Sequence, residues 1–126
     1  MRFIHIADVH LGMQPDLRRN WSKDRAKEIW NTFQNVVNRC EEEQIDLLLI
    51  AGDLFHKQPL LREIKEVNYL FSQLTHTHVV LMAGNHDYIS QTSNYLQFLW
   101  ANNVHMFYEK ELSDLYIEEL NTRIYG

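Results

Sequence analysis

Three short clusters hold most of the side chains able to bind a metal or move a proton. They are Asp8-Val9-His10, Gly52-Asp53-Leu54-Phe55-His56 and Gly84-Asn85-His86-Asp87. Asp8 and His10 stand at i and i+2, positions that point the same way in extended chain and can grip one ion together. A carboxylate such as Asp53 can bridge two cations, and the amide oxygen of Asn85 can ligate one without adding charge. Such mixed oxygen and nitrogen ligation suits Mn²⁺, Fe²⁺ or Zn²⁺ better than Ca²⁺. Taken singly, the clusters have ordinary readings: Asp-x-His is common, and Gly-Asp after a strand is more often a turn than a ligand. Gly-Asn-His-Asp is rarer, because a turn needs at most two of those four residues.

What lifts the set above coincidence is where the clusters fall. Phe3–Ala7, Leu47–Ala51 and Val79–Ala83 are short, nearly continuous apolar runs. Runs of this length read as strands buried on both faces, the signature of a parallel sheet. Each cluster begins where one of these strands ends, and ligands of open α/β sheets bind beyond the carboxyl ends of the strands. Gly52 and Gly84 there permit the sharp turn that lifts the next side chain off the sheet.

Between the strands the apolar period changes to that of a helix. From about Ser22 to Glu43, Ala26, Ile29, Phe33, Val36 and Cys40 mark one face. Leu60, Ile64, Val67, Phe71 and Leu74 do the same, with Pro59 placed at the first turn. A third helix is predicted after Ser90–Thr92, over about 92–101, carrying Tyr95, Leu96, Leu99 and Trp100. The order βαβαβα implies parallel strands joined by right-handed crossovers. Val104–Phe107, Leu115–Leu120 and Arg123–Tyr125 read as further short strands, the last two forming a hairpin that turns at Asn121-Thr122.

Composition bounds the class. The chain has 126 residues, 45% hydrophobic and 23% charged, which is globular and fits one domain with a real core. Its single cysteine, Cys40, excludes an internal disulfide framework and suits a reducing, cytoplasmic compartment. No apolar run approaches the ~18 residues that would span a bilayer. Twelve basic against 17 acidic residues leave a formal charge of −5, so no global basic field announces a polyanionic partner. Arg18, Arg19 and Lys23 form a local basic stretch behind the first cluster and read as an exposed loop. Trp21, Trp30 and Trp100 read as core or interface, because no basic residues interleave with them.

In series, Asp-x-His, Gly-Asp and Gly-Asn-His-Asp resemble the first three motifs of the calcineurin-like metallophosphoesterases. Asp8-Val9-His10-Leu11-Gly12 has the Leu-Gly tail of the DNA-repair nuclease branch. His56 stands where the general family usually has a second Asp. Both features look like the nuclease subunit of the SbcCD type and its meiotic-recombination-eleven counterpart. The resemblance runs over the whole chain. It implies a four-layer α-β-β-α sandwich, of which residues 1–126 would be the N-terminal part. It also implies a two-metal centre, most readily Mn²⁺, with Asp8 and His10 on the first ion, Asp53 bridging and Asn85 on the second. His86 would be the catalytic acid, Asp87 would orient its imidazole, and His56 would position substrate nearby. DNA would be the substrate and an SMC-like coiled-coil ATPase the partner. A homodimer would form through helices 59–74 and 92–101, which carry surplus apolar residues such as Leu61, Tyr69, Leu70 and Phe98.

The chain also departs from that pattern. The resembling enzymes add a further His and then a Gly-His-x-His pair downstream, and nothing after Asp87 fits. His105 opens a predicted strand and reads as structural. His76-Thr77-His78 has His-x-His spacing but precedes the third strand, about 17 Å from its carboxyl end at ~3.3 Å per residue. The chain therefore holds about half of such a ligand set. Two other readings compete: a phosphatase or small-molecule phosphodiesterase of the same fold, and a catalytically incompetent piece that supplies only assembly surface.

Overall fold

The computed structural model describes all 126 residues. Strands β1 (Phe3–Ile6), β2 (Leu47–Ala51), β3 (His78–Met82) and β4 (Val104–Phe107) form one parallel sheet in the order β1-β2-β3-β4. The register runs Ile4↔Leu48 across the first pair, Leu48↔Val79 across the second and Val79↔Val104 across the third. Sequential order with right-handed crossovers puts every connecting helix on one face of the sheet. That single fact divides the side chains of each strand by parity.

One parity meets the helices. Leu48, Ile50, Val79, Leu81 and Val104 pack with Phe33, Val37 and Cys40 of α1 (Ser22–Glu42) and Ile64, Val67 and Phe71 of α2 (Leu61–Ser72). The other parity meets an antiparallel hairpin, β5 (Asp114–Ile117) and β6 (Thr122–Tyr125). Ile117, Leu115 and Ile124 rest there on Leu47, Leu49, Val80 and Phe107. The chain thus builds the helix layer and the parallel sheet of the expected α/β architecture, with a two-stranded piece on the sheet's second face. No helix is long and apolar enough to cross a membrane.

Several expectations need correction. Burial on both faces holds for the middle of β2 and β3, but β1 is an edge strand with Phe3 and His5 exposed. α2 begins at Leu61, two residues after Pro59, where the Leu60 amide donates to the Glu63 carboxylate at 2.7 Å. The third helix is a single turn, α3 (Asn94–Gln97), and not a run to 101. Phe98 then turns extended, so Phe98 and Trp100 both reach the core while Leu99 between them is 90% exposed. The spacing Tyr95, Leu96, Leu99, Trp100 suits either geometry, and packing of Phe98 on Trp100 (ring centroids 5.0 Å) selects the extended one. Between β5 and β6 lies a 3₁₀ turn, Glu118–Leu120, closed by Asn121 in the left-handed region at φ 47°. Trp21 is exposed, unlike Trp30 and Trp100, which pack against the core.

Cys40 lies sealed on the inner face of α1, and burial, with the Glu43 charge adding, pushes its thiol up to about 11. A thiol raised in the folded state stabilises the fold fully below its unfolded pKa of ~8.5. That contribution fades as pH climbs through about 11. Cys40 should therefore resist a thiol-reactive dye in the native chain at mildly alkaline pH and react at once in denaturant. Rapid labelling without denaturant would contradict its burial.

Candidate metal and phosphoester site

The carboxyl ends of β1, β2 and β3 are drawn together by backbone pairing that continues past the strands. Asp8 N donates to the Gly52 carbonyl at 3.2 Å, His10 N to that of Asp53 at 2.9 Å, and Leu11 N to that of Leu54 at 2.9 Å. His56 N returns the bond to the Leu11 carbonyl at 3.0 Å. The chain is not extended over this stretch. Asp8, His10 and Asp53 have φ of 53°, 54° and 50°, a left-handed conformation that Asp and His tolerate better than most residues. Asp8 and His10 do converge, but through paired left-handed turns and not through strand alternation.

Two glycines set how near β2 and β3 can come at this edge. Gly52 sits at φ 86°, and a Cβ there would meet Gly84 Cα at 3.1 Å. A Cβ on Gly84 would stand 2.1 Å from Asp53 Oδ1, an outright clash. Gly84 is thus required for close approach, while Gly52 is required for its turn as well.

Into this gap Asp53 places a buried carboxylate. Its Oδ1 accepts from the His86 amide at 2.8 Å, and its Oδ2 lies 3.9 Å from His10 Nε2. The exposed Asp8 carboxylate is 3.9 Å from the same His10 nitrogen. One donor atom each from Asp8, His10 and Asp53 fall within 4.8 Å of one another. No lysine or arginine pairs with Asp8 or Asp53. Two carboxylates and an imidazole converging without an organic cation fit a hard or borderline divalent ion. Asn85 is exposed on the adjoining turn between Gly84 and His86.

Beside this group stand two more imidazoles. His56 Nδ1 lies 3.3 Å from His10 Nδ1, and the His86 ring is edge-on to His10 and stacked on His56. His86 Nδ1 is 3.0 Å from the His56 carbonyl, which can only accept, so that nitrogen carries the hydrogen and Nε2 is left free. Desolvation, then the neighbouring His10 and His86, hold His56 below the usual histidine pKa.

Asp87 does something other than what the sequence suggests. It makes no bond to His86; the His56 carbonyl orients that ring instead. Asp87 is fully buried beneath the site, with Oδ1 accepting from Gly84 N at 2.7 Å. Its Oδ2 accepts from Phe55 N at 3.2 Å and from the Tyr95 hydroxyl at 2.8 Å. One carboxylate therefore ties the loop bearing Asp53 and His56 to the loop bearing Asn85 and His86. Burial, with the Asp87 charge beside it, pushes the Tyr95 phenol above its ordinary pKa. Tyr95 is the residue that sequence reasoning took for plain core; a hydroxyl on an otherwise apolar face was the available signal.

The remaining candidates lie elsewhere. His76 pairs with Asp46 at 2.7 Å, and His78 stacks on His105 with ring centroids 5.7 Å apart, at the far end of β3 and on the hairpin side of the sheet. Arg18, Arg19 and Lys23 are exposed. A groove of about 570 Å³ between β1 and α1 is mostly apolar and holds none of the clustered ligands.

Carboxylates and histidines thus converge at the carboxyl ends of a parallel α/β sheet, in groups that could hold a divalent ion. The profile of the calcineurin-like phosphoesterases matches residues 1–125, and the chain belongs to that family. It is 37% identical over 89 residues to the DNA double-strand break repair protein Mre11 of Aeropyrum pernix, which covers 68% of this chain and 21% of that protein. Against the Mre11 protein of Archaeoglobus fulgidus it is 36% identical over 94 residues, 72% of this chain and 20% of that one. An SbcCD nuclease subunit of Escherichia coli is 29% identical over 93 residues, 71% and 22% of the two chains. The chain spans about a fifth of the length of these relatives. The crystal structure of the Pseudomonas putida nuclease MPE shares the fold at a TM-score of 0.53 and 19% identity, over 84% of this chain and 47% of that one.

The clamp can be tested directly. Tyr95→Phe removes one of three donors to a buried carboxylate, a loss worth about 1–3 kcal/mol. Urea denaturation should show that decrease, and a midpoint equal to the parent's would remove Tyr95 from the clamp.

Proposed function

We propose that this chain is the N-terminal part of a DNA phosphodiesterase of the double-strand-break repair type. The observation that carries the reading is the convergence of Asp8, His10 and Asp53 with His56 and His86 at one sheet edge. The repair-nuclease names of its relatives support it, as does His56 in place of a second Asp. Asp8, His10 and Asp53 would hold one divalent ion, and Asp53 with Asn85 a second, most readily Mn²⁺. Such ions activate water and neutralise the oxygens of an in-line phosphoryl transition state.

The chain's own groups then have separate tasks. His86, with Nδ1–H engaged by the His56 carbonyl, keeps Nε2 for the substrate. Protonated there, it donates to the departing oxygen of the phosphodiester. The Asp53 carboxylate fixes the His86 backbone, so that the acid and the ion site cannot shift independently. His56, beside that ring, positions the substrate. Asp87 acts underneath, as a clamp on both loops. Ligands beyond this half-set would come from polypeptide outside these 126 residues, and an SMC-like coiled-coil ATPase would be the partner.

In the longer polypeptide, His86→Ala should lower kcat on DNA about 10²–10⁴-fold while bound Mn²⁺ stays at the parent level. Parallel loss of metal in that variant would make His86 a ligand and overturn its role as acid.

We also propose a homodimer through the α2 and α3 surfaces. Leu61, Leu96 and Leu99 are 41%, 50% and 90% exposed, and Tyr69 is 64% exposed. Phe98, by contrast, is committed to Trp100 and is not available for that contact. Leu99→Glu should convert a dimer to a monomer with an unchanged circular dichroism spectrum. Light scattering that finds the parent monomeric at high micromolar concentration would end the idea.

A further inference from the structure

His10 belongs to two ligand groups at once. Its Nε2 faces the carboxylates of Asp8 and Asp53, and its Nδ1 faces His56. His10, His56 and His86 each place a ring nitrogen within 4.8 Å of the others, and no carboxylate belongs to that second group. The closest pair, His10 Nδ1 and His56 Nδ1, is separated by 3.3 Å. A tetrahedral ion with metal–nitrogen bonds of ~2.0–2.1 Å needs its nitrogens ~3.3–3.4 Å apart. The pair already stands at that spacing. His86 offers a third ring nitrogen within 4.8 Å of the pair, and Nε2 is the one its bond to the His56 carbonyl leaves free to ligate.

We propose that His10, His56 and His86 form a second, nitrogen-only metal site that takes a borderline divalent ion such as Zn²⁺ or Cu²⁺. Imidazole sites favour those ions over Mn²⁺, whereas the oxygen-rich group suits Mn²⁺. The two sites exclude each other, because a neutral imidazole has one lone pair and His10 can give it to one side only. An ion on the three histidines therefore withdraws His10 from the carboxylate site and pins His86. This gives the edge an inhibited state set by metal identity. The exclusion rests on the carboxylate site proposed above; the three-histidine site does not.

The test uses the 126-residue chain with Cu²⁺ and Zn²⁺ as probes. Electron paramagnetic resonance of the Cu²⁺-loaded parent should show coupling to three nitrogens, and His56→Ala should reduce it to two. Zn²⁺ affinity should fall at least ~10-fold in both His56→Ala and His86→Ala, since even a residue that only orients a ligand is worth ~10–100-fold. It should hold in Asp8→Asn and in His76→Ala. Affinity lost in Asp8→Asn but kept in His56→Ala would put the ion on the carboxylates and overturn the proposal. Loss in His76→Ala alone would reduce it to adventitious surface binding and overturn it equally. In the longer polypeptide, Zn²⁺ should release bound Mn²⁺, seen as growth of the free-ion spectrum; retention of Mn²⁺ with Zn²⁺ on the histidines would overturn the exclusion. Mn²⁺ binding insensitive to Asp8→Asn would count against the carboxylate site and leave the three-histidine site standing.

Discussion

The buried Asp87 carboxylate is the contact on which the functional edge depends. It accepts from backbone amides on two loops that follow different strands, and from the Tyr95 hydroxyl on a third segment. A charge with no exposure is costly to bury unless it is hydrogen-bonded, and here three donors engage both oxygens. Because the amides belong to Phe55 and Gly84, satisfying Asp87 fixes the separation of the two loops. Gly52 and Gly84 make that separation sterically possible, since any Cβ on Gly84 would strike Asp53. Asp53 then answers from above by accepting the His86 amide. The two carboxylates, one below and one within the site, lock the same pair of loops from opposite sides.

Above that clamp the arrangement is crowded by the path of the backbone. Three site residues, Asp8, His10 and Asp53, hold left-handed φ values that cost energy in most side chains. The hydrogen-bonded zip between the segments after β1 and β2 keeps them there. The result is a concentration of ligands on a solvent-facing edge instead of in a closed cavity. The acidic net charge of −5 includes the carboxylates that gather at this edge, so it does not argue against an anionic substrate once cations are held there.

Away from the site, the sheet's two faces have different fates. Helices and the extended Phe98–Trp100 stretch cover one face, whereas the hairpin covers only the part of the other lined by Leu47, Leu49, Val80 and Phe107. Met82, at the carboxyl end of β3, is 40% exposed, and Tyr125 of the hairpin is 64% exposed. The exposed leucines of α2 and α3 lie on the helix side of the sheet.

Much of this was legible in the residues themselves. Short apolar runs, helical spacing between them and polar clusters at the run ends are local signals. They located β2 and β3, both long helices and the strand ends at which Asp8, His10, Asp53 and His86 gather, because strand and helix periods depend only on neighbours in the chain. His56 was legible too, as a histidine three residues beyond Asp53. Other features had no local signature. Whether Phe98 and Trp100 continue a helix or lie extended depends on what Phe71 and Tyr95 leave open in the core. Adjacent side chains in a turn can point either way, and it took Tyr95, with Phe55 32 residues upstream of Asp87, to draw Asp87 down and leave His86 outside. Likewise, no spacing rule sets two histidines 46 residues apart at 3.3 Å. The sequence determined which residues could do chemistry and at which strand ends they stand; the tertiary structure decided which of them face one another, because that is settled by burial and by hydrogen bonds between distant segments.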